Sequence, residues 1–369
     1  MKKIRVGIIF GGKSGEHEVS IISAQSVLKA INKTKYEVVP IFINKKGQWQ
    51  IDFGRKKLER KSSNYIYLLP DPTKKELVSK DKIKFNQGKI DVFFPLVHGT
   101  YGEDGSIQGL LELAGLPYVG AGIAASATGM DKDLMKKIFR SEGLPITKHL
   151  VLLRKDLRLN QQRFTKMIEA ELTYPIFVKP ANLGSSVGIT KAHTRAELVQ
   201  GLKVASEYDR KLIVEQGIDK AREIEVAVLG NDELETSVGG EIVPSKEFYD
   251  YEDKYILGKA KLIIPAPIRK NISDKIRKMA KTAFKSIDCS GMARVDFLIY
   301  PKTNEVYIVE INTNPGFTAI SIYPKLWEAS GVSYLKLIDR LIILAMERYN
   351  DKLQTKTEFP SKLLKNESF

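Results

Sequence analysis

The chain has one cysteine in 369 residues, and it has neither a long apolar run nor an internal repeat. A lone cysteine, Cys289, excludes an intrachain disulfide and fits a reducing cytoplasm. Its neighbours point to a small buried residue rather than a nucleophile. No apolar stretch approaches the roughly 18 residues that cross a bilayer. The opening MKKIRVGIIFGG places basic residues before an apolar run, but that run is too short for a signal peptide and leads into a glycine turn. The net charge of +15 raises nucleic acid as a partner. The lysines and arginines are dispersed, however, with a local excess over residues 45–89 and no basic motif interleaved with aromatics. No nucleic-acid partner and no membrane partner is therefore expected. A soluble surface around an anionic substrate such as a nucleotide explains the positive field.

Two or three domains suit this length. Residues 4–10 form a nearly continuous apolar run, the mark of a buried parallel strand. GGKSGEHEVS and a helical pattern follow, and then a second strand over 36–43. Residues 91–97 give a further buried strand, ending in HGTYGEDG and a helix from Ser106. Strands alternating with helices predict a Rossmann-like N-terminal domain with ligand loops at the carboxyl ends of its strands. Gly7, Gly12, Lys13 and Ser14 satisfy the pattern of a phosphate loop. The match is physically poor, because residues 8–10 belong to the strand and Glu16 and Glu18 sit where phosphates need positive charge. A glutamate above a strand end suits an ammonium group; helix-start capping by Glu16 or Glu18 is the competing use.

The stretch MARVDFLIYPKTNEVYIVEINTNPG reads as a β-hairpin, with strands over 295–300 and 306–311. Alternation puts Arg294 and Asp296 on one face, and Glu310 and Asn312 on one face of the second strand. Pairing Asp296 with Glu310 unites all four. The opposite face then carries Val295, Phe297, Ile299, Tyr307 and Val309. Two adjacent carboxylates repel unless a cation intervenes, and two carboxylates plus an amide suit Mg²⁺ shared with phosphates. An ordinary solvated face on an amphipathic hairpin has the same pattern. Upstream, strand 176–178 ends in Lys179, and Gly184, Ser185, Ser186 and Gly188 make a loop able to wrap phosphate oxygens.

Taken together and in this order, GGKSGEHEVS, HGTYGEDG, GMDK, VKPANLGSSVG, EFYDYEDKY, ARVDF and EINTNPG resemble the D-alanine–D-alanine ligases of the ATP-grasp superfamily. The resemblance runs from about residue 5 to about residue 349. It implies an α/β chain, α+β in its ATP-grasp part: a Rossmann-like domain (1–120), then central (121–215) and C-terminal (216–350) ATP-grasp subdomains, and a polar tail (351–369). By the same resemblance, Lys132 and Lys179 hold the α- and β-phosphates of ATP, with Ser185 and Ser186 over them. Glu215, Gln216 and Ile218 meet the adenine, and Glu223 the ribose. Asp296, Glu310 and Asn312 ligate two Mg²⁺ ions, for which Mn²⁺ is a substitute, and Lys254 reaches the γ-phosphate from a mobile lid. Glu16 pairs with the ammonium of the first D-alanine, next to His98, and forms a hydrogen-bonded set with Ser185 and Tyr255. Arg294 and the Gly316 amide face the oxyanion, while Ser321 and Ile322 shape the second D-alanine site. Relatives that make a D-alanine–D-lactate ester differ at the position of Tyr255, so tyrosine favours the dipeptide. The resemblance also implies a cytoplasmic homodimer serving peptidoglycan precursor synthesis.

Overall fold

The computed structural model describes residues 2–51, 65–74, 77–79, 89–245 and 260–357. Its first layer runs β1 (Ile4–Gly11), α1 (His17–Ala30), β2 (Tyr36–Ile43), β3 (Trp49–Ile51), β4 (Tyr65–Leu68), β5 (Leu77–Ser79) and β6 (Val92–Pro95). The helices α2 (Ser106–Leu113), α3 (Ile123–Met130) and α4 (Lys132–Ser141) follow. The strand order is β5-β4-β3-β2-β1-β6, parallel over the β2-β1-β6 end, where β1 pairs with β2 and β6. The three short edge strands are antiparallel. They draw on the basic stretch 45–89, to which the sequence assigns no element.

A second sheet is built from β7 (His149–Leu153), α5 (Arg154–Glu171), β8 (Ile176–Pro180), β9 (Thr190–Ala192), α6 (Arg195–Tyr208) and β10 (Lys211–Gln216), in the order β7-β10-β8-β9. The third contains β11 (Arg222–Gly230), β12 (Glu235–Thr236), β13 (Gly240–Val243), β14 (Lys261–Ile263), α7 (Lys270–Ser286), β15 (Gly291–Ile299) and β16 (Val306–Asn312). The helices α8 (Ile322–Ala329) and α9 (Tyr334–Lys352) close the chain. Among the described residues no helix is long and apolar enough to cross a membrane.

Three cores explain how the layers are held. The second sheet has its own, built on Ile168, Val178, Leu202 and Val214. The helix α7 presents Ile272, Ile276, Met279 and Ala283 to the third sheet, the stripe its 3.6-residue period predicts. Met135 and Phe139 of α4 join that same core, so α4 packs on the third sheet although its lysines point towards the second. The other face of the third sheet, through Leu229 and Met292, shares a core with Phe10 and Phe94 of the first sheet and with Trp327 and Leu341 of α8 and α9. The cleft between second and third sheets is thereby floored by the first.

The hairpin pairs as expected near its open end, with Arg294 opposite Asn312 and Asp296 opposite Glu310. One expectation fails. Phe297 pairs with Ile308, so Val309 is an extra residue in a β-bulge. An inserted residue flips the alternation beyond it. Val306 and Ile308 enter the core in place of Tyr307 and Val309, which are half-buried. The bulge keeps the acidic end facing the cleft while the rest of β16 packs. Phe297, 1% exposed, is central to this packing, and Phe297→Ala is expected to destabilise the fold by about 3–5 kcal/mol in denaturant unfolding.

Candidate active site

A cavity of about 430 Å³ opens where the three sheets meet. It brings together Glu16, His98, Lys132, Ser185, Arg294, Glu310, Asn312, Gly316, Ser321 and Ile322, ten of the residues expected from the sequence. Glu16 stands at the N-cap position of α1 but makes no capping hydrogen bond. Its carboxylate turns into the cavity and accepts a hydrogen bond from the Ser185 hydroxyl, bridging the first and second layers. Glu18 instead pairs with Lys45 at 2.5 Å, both of them exposed. The capping use is thus excluded for both. Two glycines make room for the Glu16 carboxylate. A Cβ on Gly99 (φ +73°) would lie 2.6 Å from Glu16 Oε2, and one on Gly184 would lie 3.0 Å from it. Residues 8–10 are strand and Lys13 is exposed, so no phosphate loop forms there.

The wall opposite is cationic. Lys132, the first residue of α4, donates from Nζ to the Leu183 carbonyl at 2.8 Å and lies 3.9 Å from Glu310 Oε2. It therefore ties the serine loop to the hairpin. Ser185 and Ser186 both adopt left-handed backbone (φ 53° and 58°), a conformation that costs on the order of 1–3 kcal/mol per residue and gathers at ligand clamps. Lys179 lies alongside, its Nζ 2.6 Å from Glu215 Oε2. Burial pushes the Glu215 carboxyl up, but Lys136 and Lys179 outweigh it and hold the group far below the usual carboxylate range. The same pair raises Lys179 against its own burial. The Gln216 side chain is committed to Thr173, accepting from its amide at 2.8 Å and donating to its carbonyl at 2.6 Å. The Gln216 backbone N–H is likewise spent, donating to the Lys148 carbonyl at 2.8 Å. Ile218 and Glu223 are half-buried; Glu223 shares a face of β11 with Glu225, which is opposite Asp296.

On the hairpin, Arg294 grips Asp296 with two hydrogen bonds of 2.8 and 2.7 Å, and its Nε lies 2.9 Å from Glu225 Oε2. The guanidinium is the compensating cation that adjacent carboxylates require. Glu310 keeps 31% of its side chain exposed, at the cavity. Among the described residues no three His, Cys, Asp or Glu gather as a metal cluster. Two carboxylates and the Asn312 amide are nevertheless an all-oxygen set on one face, which fits a Mg²⁺ that keeps waters and phosphate oxygens as its remaining ligands.

At the floor, His98 is buried, with Nε2 3.0 Å from Ser23 Oγ and Nδ1 3.4 Å from Glu103 Oε1 and 3.2 Å from the Asn314 carbonyl. Asn314 in turn donates to the Val97 carbonyl at 3.0 Å, pinning the loop after β16 to the end of the first sheet. Ser321 occupies the N-cap position of α8, yet its hydroxyl bonds Thr318 rather than the helix. A Cβ on Gly316 would approach Ser321 Oγ to 3.2 Å, so a side chain at Gly316 would crowd the Ser321 hydroxyl. Lys254 and Tyr255, with the expected lid, lie outside the described residues.

Three residues of this site were not singled out from the sequence. Glu103 follows His98 in HGTYGEDG, Glu225 alternates with Glu223 in REIEVAV, and Lys136 sits one helical turn after Lys132. The signal available for the last was its i, i+4 spacing, which puts both lysines on one face. Burial pulls His98 down, but the hydrogen bond and charge of Glu103, with Glu16 behind them, raise it above the ordinary 6.5. A raised histidine stabilises the fold fully below its unfolded value and loses that contribution as pH rises through the folded one. The ring resonances of His98 are expected to titrate above 6.5 in NMR, and Glu103→Gln to bring the midpoint down.

Comparison with known proteins places this geometry. The family described as D-ala D-ala ligase N-terminus matches residues 5–121, and that described as D-ala D-ala ligase C-terminus matches residues 138–343. A D-alanine–D-alanine ligase of Natranaerobius thermophilus is 49% identical over 366 residues, covering 97% of this chain and 99% of its own. The solved D-alanine–D-alanine ligase of Coxiella burnetii superposes with a TM-score of 0.82 at 36% identity, covering 96% of this chain and 97% of its own. The VanG D-Ala:D-Ser ligase of Enterococcus faecalis does so with a TM-score of 0.83 at 37% identity, covering 93% and 100%. The chain belongs to the D-alanine–D-alanine ligase family.

Proposed function

We propose that this enzyme joins two D-alanine molecules into D-alanyl-D-alanine at the expense of ATP, supplying peptidoglycan precursor synthesis in the cytoplasm. The single observation that carries the reading is the cleft itself. Its lining combines a carboxylate from the first layer, Glu16, with Lys132, the Arg294 guanidinium and the Glu310 and Asn312 side of the hairpin.

In this reading the ammonium of the first D-alanine binds Glu16 beside His98, and its carboxylate points towards the nucleotide. Lys132 and Lys179 bind the α- and β-phosphates under Ser185 and Ser186. The adenine lies against Glu215, Gln216 and Ile218, with Glu223 at the ribose. Asp296, Glu310 and Asn312 would hold two Mg²⁺ ions, or Mn²⁺ in their place, which neutralise phosphate charge. The D-alanine carboxylate oxygen attacks the γ-phosphorus, the bond to the β-phosphate oxygen breaks, and ADP leaves. The second D-alanine, held by Ser321 and Ile322, attacks the acyl carbon through its free amine. The amide forms, the amine proton is lost and phosphate departs. Phosphoryl transfer of this kind depends on positioning and charge rather than on covalent help. Arg294 and the Gly316 amide face the oxyanion of the tetrahedral intermediate. Lys254 and Tyr255 belong to the lid that excludes water from the acyl phosphate. We also propose a homodimer, and domain limits at 120, 215 and 350.

A D-Ala:D-Ser relative of similar fold makes the acceptor the point to test. With ATP and Mg²⁺, D-alanine alone is expected to give ADP and D-alanyl-D-alanine, and to outcompete equimolar D-serine and D-lactate as acceptor. Preferential D-serine or D-lactate incorporation would overturn the dipeptide assignment. Arg294→Met is expected to lower kcat by about 10²–10³-fold, the usual effect of removing an oxyanion donor. Glu310→Gln is expected to abolish ADP formation, and near-normal turnover would remove the hairpin from the metal site.

A further inference from the structure

Lys136 is a buried cation that the assignment above leaves unused. It lies on α4 one turn beyond Lys132, and its side chain is 1% exposed. Its Nζ is 2.9 Å from Glu215 Oε1, while Lys179 Nζ is 2.6 Å from the other oxygen, Oε2. The angle at Lys136 is poor for a hydrogen bond, so that contact is electrostatic. Each oxygen of one buried carboxylate thus faces its own lysine. Neutralising Glu215 needs only one of them. The second carries a penalty: burial pulls Lys136 below the ordinary lysine range, Glu215 pushes back, and Lys179 adds to the fall.

The two lysines differ in what else they can reach. Lys179 ends β8 at the mouth of the serine loop, within the fields of Glu310 and Glu223. Lys136 is sealed under α4, with Glu215 as its close ion-pair partner among the described residues and only a weaker, longer-range attraction to Glu310. When phosphates draw Lys179 away, Glu215 would be a buried carboxylate with one remaining partner. A carboxylate in that position must either keep a cation or take up a proton.

We propose that Lys136 is a positioning residue for base recognition: it keeps Glu215 ionised and fixed, as acceptor for the exocyclic amino group of the purine, while Lys179 engages phosphate. This rests on the ligase reading for the identity of the nucleotide. Without Lys136, Glu215 protonates in the bound state and becomes a donor. It then tolerates a 6-oxo purine, such as that of inosine triphosphate, as well as a 6-amino one.

The test uses the full chain and its Lys136→Met and Lys136→Arg variants. ADP binding is measured by calorimetry, and turnover with D-alanine is measured on ATP and on inosine triphosphate. Lys136→Met is expected to weaken ADP and raise the KM for ATP by about tenfold or more, to leave kcat within about threefold, and to shrink the preference for ATP over inosine triphosphate. Lys136→Arg is expected to restore most of that preference. Unchanged ADP affinity and unchanged base preference would overturn the proposal, as would a loss confined to the melting temperature. Should Lys136→Met fail to fold, Lys136→Gln carries the same expectations. Wild-type protein that binds ADP but makes no dipeptide would overturn the ligase reading alone, and the binding measurements would still decide on Lys136. Wild-type protein that binds no ADP overturns both.

Discussion

Opposite charges in this cleft are interleaved so that no buried ion faces only its own sign. Glu215 lies between Lys136 and Lys179, and Arg294 between Asp296 and Glu225; Lys132 stands near Glu310. Removing one partner of such a buried pair typically costs about 3–5 kcal/mol, because the other charge is stranded. In the proposed reaction a nucleotide and its divalent ions would bring charges of both signs and exchange partners with these groups. The protein is therefore assembled around a set of ion pairs whose members can be traded for substrate.

The fold makes that trade possible by drawing the members from different layers. Lys179 and Glu215 come from the second sheet, and Lys132 and Lys136 from α4, which packs on the third. Arg294, Asp296 and Glu225 are neighbours on two adjacent strands of the third sheet. Glu16 comes from the first layer and reaches Ser185 of the second. The first and third layers share an apolar core, whereas the second sheet keeps its own. Asn314, held to Val97, and Arg348, donating to the Tyr118 carbonyl and Ser290 Oγ, fasten the first layer to the third. The second sheet, with its own core, meets the other two layers chiefly through the charged and hydrogen-bonded groups of the cleft.

Much of this was legible in the sequence, for reasons that can be named. The acidic hairpin face followed from a period-two alternation of charged residues between turn residues, and the α7 stripe from its helical period. The bulge at Val309 was not legible, because VYIVEI is apolar at both parities and conceals an extra residue. Nor did DLMKKIF reveal which lysine is buried. Lys137 pairs with Asp133 and is 60% exposed, whereas Lys136 is sealed; the i, i+4 spacing from Lys132 marks Lys136 as its face-mate but does not tell that this face is buried. The edge strands β3 to β5 are three or four residues long, too short for a periodicity to register. What Gln216 binds within the fold was not legible either: its side chain is spent on Thr173 and its backbone N–H on Lys148.

In the proposed reaction, Glu16 would hold the first D-alanine so that its carboxylate faces the γ-phosphate. D-alanine labelled with ¹⁸O in its carboxylate and turned over with unlabelled ATP tests this directly. Mass spectrometry of the released phosphate is expected to find one ¹⁸O per phosphate formed, carried there when the acyl phosphate breaks down. Phosphate free of label, alongside dipeptide formation, would contradict the account.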